Sequence, residues 1–165
     1  MGYTHYFNFK KSPKAIENGA DLFKAAVKAT TDCIAQLPKK IPHEVREWNE
    51  KTGEYEVSRV GFLPFKLCGW DGKGEPEFTD TQVRFNGDAE MDFDHETCSI
   101  GYEDDTEFNF CKTARKPYDV AVCITLLCFA HYFGDNFEYS SDGDIEAGEE
   151  GWEKAKEITS KYFAQ

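Results

Sequence analysis

The chain has 165 residues, a mass of 18.9 kDa, and a composition 40% hydrophobic and 15% aromatic. That is enough apolar surface for one folded domain and too much for a disordered chain. A formal net charge of −12 disfavours direct DNA or RNA binding outside a local basic pocket. No apolar run reaches the roughly 18–20 residues of a membrane span, and the opening MGYTHYFNFKK lacks the basic-then-apolar order of a secretory leader. The expectation is a cytoplasmic protein without a membrane anchor.

In chain order, residues 3–9 (YTHYFNF) alternate like a strand, with Tyr3, His5, Phe7 and Phe9 on one face and Thr4, Tyr6 and Asn8 on the other. A helix is predicted from about Glu17 to Leu37, where Leu22, Phe23, Ala26, Val27, Thr30, Cys33 and Ile34 form one stripe and Pro38 stops it. Residues 39–80 are the least regular part, with a short hairpin expected around Thr52-Gly53. Strands follow at TQVRFNG, CSIGY and EFNFCKT, and Asn86-Gly87 signals a tight turn. Pro117 opens a helix to about Phe133 around the apolar run Val120–Ala130; FEYSS adds a strand, and an amphipathic helix covers about Glu146 to Phe163. The pattern predicts an α+β fold: a mainly antiparallel sheet packed against about three helices, in a single domain, 1–165, with an irregular loop-rich insertion at about 39–80.

The charge is uneven. Residues 1–83 hold 12 Lys/Arg against 12 Asp/Glu, and residues 84–165 hold 7 against 19, so the second half carries the whole −12. Between Phe85 and Glu153 the only cations are Lys112, Arg115 and Lys116, in the block FCKTARKPYD just before a helix start. Free N–H groups and the dipole at a helix N-terminus, joined by guanidinium, ammonium and the Thr113 hydroxyl, suit a phosphate or carboxylate; the plainer alternative is that these cations neutralise their acidic surroundings.

Other constellations are weaker. Tyr3, His5 and Tyr6 could meet a base, ribose or phosphate, or merely edge the core. Asp88, Glu90, Asp92 and Asp94 would share a face in an extended chain, which suits magnesium or calcium, but a solvated hairpin face is the commoner arrangement. In SSDGD, Asp142 or Asp144 could cap the last helix or bind ribose hydroxyls. The six cysteines form no C-x-x-C pair and read as reduced, structural thiols, although Cys111 beside Lys112 could be electrostatically activated. No P-loop, dinucleotide fingerprint, nucleophile elbow or H-E-x-x-H is present, and no metal or cofactor is assigned.

The segments MGYTHY, RFNGDAE…DHET, FCKTARKPYDVAV and SSDGD resemble a family of small bacteriophage proteins; the resemblance covers the start and about residues 83–144 and leaves out 39–80. It implies a phage accessory factor acting in the host cytoplasm. The residues favour a binder of a phosphorylated, nucleotide-like small molecule, a sponge for a nucleotide-derived immune signal. Its expected contacts are Lys112, Thr113, Arg115, Lys116, Tyr118, Tyr3, His5, Tyr6, Asn86 and Asp142. The alternatives are an acidic inhibitor or DNA mimic that occupies a basic host protein through Asp92, Asp94, Asp104 and Asp105, and a phosphodiesterase-type hydrolase using His5 or His95. Self-association stays open.

Overall fold

A computed structural model describes residues 2–104, 107–149 and 151–165, and at His43 the backbone only. Its elements, in chain order, are β1 (Thr4–Phe9), α1 (Gly19–Ile34), β2 (Lys40–Asn49), β3 (Glu54–Pro64), β4 (Glu77–Phe78), β5 (Gln82–Phe85), β6 (Cys98–Gly101), β7 (Asn109–Lys112), α2 (Asp119–Phe133), β8 (Phe137–Ser141) and α3 (Trp152–Phe163). The fold is α+β. Among the described residues all strand pairing is antiparallel, divided among three small sheets: β7-β1-β8, β2-β3 and β4-β5-β6. Among the described residues no helix is long and apolar enough to cross a membrane.

α2 organises the core. It has no polar face, as the apolar run predicts, and Val120 through Leu126, Cys128 and Phe129 are all buried. A helix hydrophobic all round must be covered on every side; α1, α3 and β8 pack against it. β1 alternates as its sequence does, and its buried face supplies His5, Phe7 and Phe9, with buried Tyr3 just before it. Phe9 meets Phe129, Phe133 and Phe137 edge-on, and Phe23 of α1 meets Phe129. Thr30 and Thr125, buried inside helices, donate to the carbonyls of Ala26 and Ala121, so neither hydroxyl is orphaned.

Four expectations shift. The hairpin expected around Thr52-Gly53 is present but far longer than read: β2 and β3 pair from Asn49–Glu54 out to Lys40–Pro64, so residues 40–64 are not irregular. Asn86-Gly87 does not make a tight hairpin turn. Asn86 is buried, its Oδ1 accepts from Gly87 N (2.8 Å) and His95 N (3.0 Å), its Nδ2 donates to His95 O (2.9 Å), and the chain loops out before β6. Gly87 is required because a Cβ there would lie 2.0 Å from Phe93 O. The acidic run is not extended: Ala89–Met91 is a 3-10 turn capped by Asp88, and Asp92 is left-handed at φ 59°, so the extended alternation that would line up its carboxylates is broken. Finally, α3 starts at Trp152, not Glu146. Asp144 caps a separate turn through Ala147 N (3.0 Å), and Gly148 at φ 73° ends it.

Candidate functional site

The block that follows β7 folds back on the N-terminus. Thr113 N and Ala114 N both donate to Tyr3 O (2.9 and 3.2 Å), and Lys116 N closes a turn on Thr113 O (2.9 Å). Ala114 and Arg115 are left-handed, φ 51° and 60°. Two consecutive non-glycine residues in that region cost about 1–3 kcal/mol each and persist only where the surroundings hold them. Here the turn lays the Arg115 guanidinium over the Tyr3 ring, Cζ 4.5 Å from its centroid, a cation–π contact. Glu149 lies 3.9 Å from Arg115, and Lys116 Nζ donates to Asp92 O (2.7 Å) with the Asp92 carboxylate at 3.8 Å.

Beneath this turn sits Asp119, the first residue of α2 and nearly buried. Its Oδ1 accepts from His5 Nε2 (2.6 Å) and Thr113 Oγ1 (2.5 Å), and the Cys123 thiol donates to Oδ2 (3.6 Å). An acid in the first helical turn is favoured by the dipole, and hydrogen bonds to an ionised carboxylate are the strong kind. His5 Nε2 is therefore the donor; Nδ1 has no partner among the described residues, and the ring meets Tyr3 and Trp152 edge-on at 5.2 and 5.3 Å. Burial pushes the Tyr3 hydroxyl up to about 12, and Ser141 lies close enough to influence it without an aligned hydrogen bond.

Over Asp119 opens a cleft of about 580 Å³. Its cations are Lys40 from β2, Arg115 and Lys116 from the turn, and Lys154 from α3; Ile41, Phe62, Pro117 and Val120 give it apolar walls. The starts of α2 and α3 converge there, because Gly151 leaves no side chain between them: a Cβ would stand 2.9 Å from both Asp119 Oδ2 and Val120 Cα. Two positive helix ends and four cations thus gather in a chain of net charge −12.

Of the ten residues expected from sequence, Arg115 and Lys116 line the cleft. Thr113, His5 and Tyr3 lie under it, buried, as supports for Asp119 and Arg115. Tyr118 is buried and donates to Glu96 O (2.6 Å), its phenol held neutral by burial. Asn86 staples its loop. Tyr6 is on the opposite face of β1, stacked on Phe108 and donating to Asp142 Oδ1 (2.9 Å); Asp142 Oδ2 accepts from Thr4 N (3.1 Å), so this pair fastens the β1–β8 edge. Lys112 lies against Gly2, outside the cleft. Sequence reasoning missed Lys40, Phe62, Lys154 and Asp119, although Asp119 stood inside the quoted block.

The hydrolase and inhibitor readings meet local obstacles. Cys111 is not activated: its Sγ contacts Glu96 O (3.4 Å), and the neighbouring Cys98 together with burial pushes the thiol well up. Cys123 is 3.9 Å from His5 Nε2, yet that nitrogen is engaged by Asp119, and burial raises the thiol well above its ordinary value. His5 Nε2, an Asp119 oxygen and Cys123 Sγ all lie within 4.8 Å of one another and are of the types zinc takes, but the 2.6 Å His5–Asp119 hydrogen bond already engages two of them. His95 Nδ1 bonds to Lys112 O (2.8 Å). Of the inhibitor's acids, Asp92 faces Lys116, Asp104 accepts from Gly101 N (2.7 Å), and Asp105 lies outside the described residues. All six cysteines are free and buried.

Comparison with protein-family models, curated proteins and solved structures returned no match.

Proposed function

We propose that the cleft binds a phosphorylated, nucleotide-like small molecule, and that the protein withholds such a molecule rather than transforming it. The observation that carries the reading is the gathering of Lys40, Arg115, Lys116 and Lys154 with apolar walls in one cleft of about 580 Å³, within the usual range for small-molecule sites. Phosphate would take the cationic side, where both helix starts add positive potential; a base would lie against Phe62, Ile41 and Pro117. Arg115 and Lys116 already have acidic neighbours at 3.9 and 3.8 Å. Such exposed pairs contribute only about 0–1 kcal/mol, so exchanging Glu149 or Asp92 for phosphate costs little. Two of the blocks that carry the phage-family resemblance meet at this site: Tyr3 lies under Arg115, and His5 bonds to Asp119. An accessory factor that sequesters a nucleotide-derived host signal fits that resemblance.

The test is calorimetric titration with cyclic and ADP-ribose-type nucleotides, beside inorganic phosphate. Arg115→Ala is expected to weaken binding about tenfold or more, a loss of about 1.4 kcal/mol, whereas Lys112→Ala, in the same block but outside the cleft, changes it less than about twofold. Intact recovery of the nucleotide after denaturation separates binding from cleavage. If no nucleotide binds the wild type, or both variants lose equally, the reading fails.

A further inference from the structure

The β2–β3 ribbon has no buried side chain among those described and yet carries five of the exposed large apolar side chains: Trp48, Tyr55, Val57, Val60 and Phe62. Their numbering looks out of phase, two odd and two even along β3. The register resolves it. Trp48 faces Tyr55 and Arg46 faces Val57; then Ser58 is left unpaired, a β-bulge, and the ladder resumes with Val45–Arg59, Glu44–Val60 and Pro42–Phe62. Paired residues in an antiparallel ladder share a face and alternate residues return to it, so the one extra residue brings all five onto one side. The distal part of the opposite side presents Glu47, Asn49, Glu54 and Glu56. A two-stranded ribbon is at best marginally stable alone in water, and a contiguous apolar face of this size marks an interaction site.

We infer that this face pairs with the same face of a second copy of the chain, ribbon on ribbon, about a two-fold axis. Three observations select a second copy. Ribbon residues 40–64 carry four Lys/Arg and five Asp/Glu, a net charge of −1 in a chain of −12, so two copies approach with least repulsion here, and a basic partner would be drawn elsewhere. The face is self-complementary: Glu44 and Arg46, 3.1 Å apart, lie on it side by side, and a two-fold axis sets each opposite the other's counter-charge. The area also suffices. Trp48, Tyr55 and Phe62 are 54%, 65% and 65% exposed; with the two valines they leave roughly 400–500 Å² uncovered per copy, and two copies exclude roughly 1,000 Å², the threshold of a specific interface. Two ribbons packed face to face would stand about 10 Å apart, as sheets in a sandwich do.

Sedimentation velocity on the full chain from about 1 to 200 μM in about 0.5 M NaCl tests this, the salt screening repulsion between copies. The wild type is expected to reach twice 18.9 kDa. The variant V57E/V60E, at positions outside the core, is expected to stay at 18.9 kDa, its association weakened about 100-fold or more by four like charges in one apolar interface. Hydrogen exchange supplies the second readout: amides of residues 44–60 are protected in the wild type and lose protection in the variant, while α2 keeps its own. A wild type at 18.9 kDa throughout, a variant that dimerises within twofold of it, or ribbon protection unchanged in the variant overturns the inference. Phe62 borders both this face and the cleft, so the runs are made without nucleotide, and no outcome depends on ligand binding in the cleft.

Discussion

At the residue scale the structure turns on Asp119, where three donors from three parts of the chain meet one carboxylate. Removing a buried acceptor strands its donors, which costs more than the bonds were worth. Asp119→Ala is therefore expected to lower unfolding stability by about 3–5 kcal/mol and Thr113→Val by about 1–2 kcal/mol, read by urea denaturation; a loss under about 1 kcal/mol for the alanine variant would sink this account. Tyr3 supplies a pH signature. Burial raises its phenol from 10.0 to about 12, so the fold favours the neutral form. Its contribution to stability is complete below pH 10 and is lost as pH rises through about 12. In an alkaline absorbance titration the Tyr3 signal should appear late or with unfolding, and the step should vanish in Tyr3→Phe. The cations and Tyr3 were visible in the sequence as an odd cluster. The role of Asp119 was not, because a helix-start aspartate reads as a cap until the partner strand shows that His5 reaches it.

At the element scale, legibility followed burial. β1, α1 and α2 could be read because each has a face, or in α2 a whole circumference, dictated by the core. The hairpin around Thr52-Gly53 was read, but as a short one in an irregular stretch, because the ribbon's alternation answers to no core within the chain and changes phase at Ser58. α3 was read too long because Gly148 and Gly151 lie within an otherwise helical stretch. The bulge makes its own prediction. Deleting Ser58 sets Val57 directly before Arg59, so the same pairs form an unbroken ladder and Tyr55, Val57, Val60 and Phe62, now at every second position, stay on one side. Self-association should therefore survive the deletion within about threefold, whereas deleting Ser58 and Arg59 together turns one pair of these residues to the other side and should weaken it about tenfold or more. Equal association of the two deletion variants would mean that one continuous apolar face is not what holds the copies together.

For the whole molecule the governing fact is a sum and its distribution: −12 overall, all of it in residues 84–165, against four cations at one cleft. Lys40 and Lys154 arrive there from opposite ends of the chain, which is why the sequence showed the basic block but not the cleft. The two charge systems act over different ranges. At about 0.15 M salt the Debye length is about 8 Å, so a bound phosphate feels the cleft and little else; at about 0.01 M it is about 30 Å, and the acidic body reaches the cleft. The attraction is therefore local and always present, and the repulsion is global and present only at low salt. Affinity for an anionic nucleotide should peak at intermediate ionic strength. It rises from about 10 to about 100 mM as the body is screened, then falls toward about 1 M as the cleft cations are screened too. Titrations at those three salts decide it. A steady weakening from the lowest salt upward would show that the acidic half does not act at the cleft, and that charge placement, not net charge, sets how this protein meets an anion.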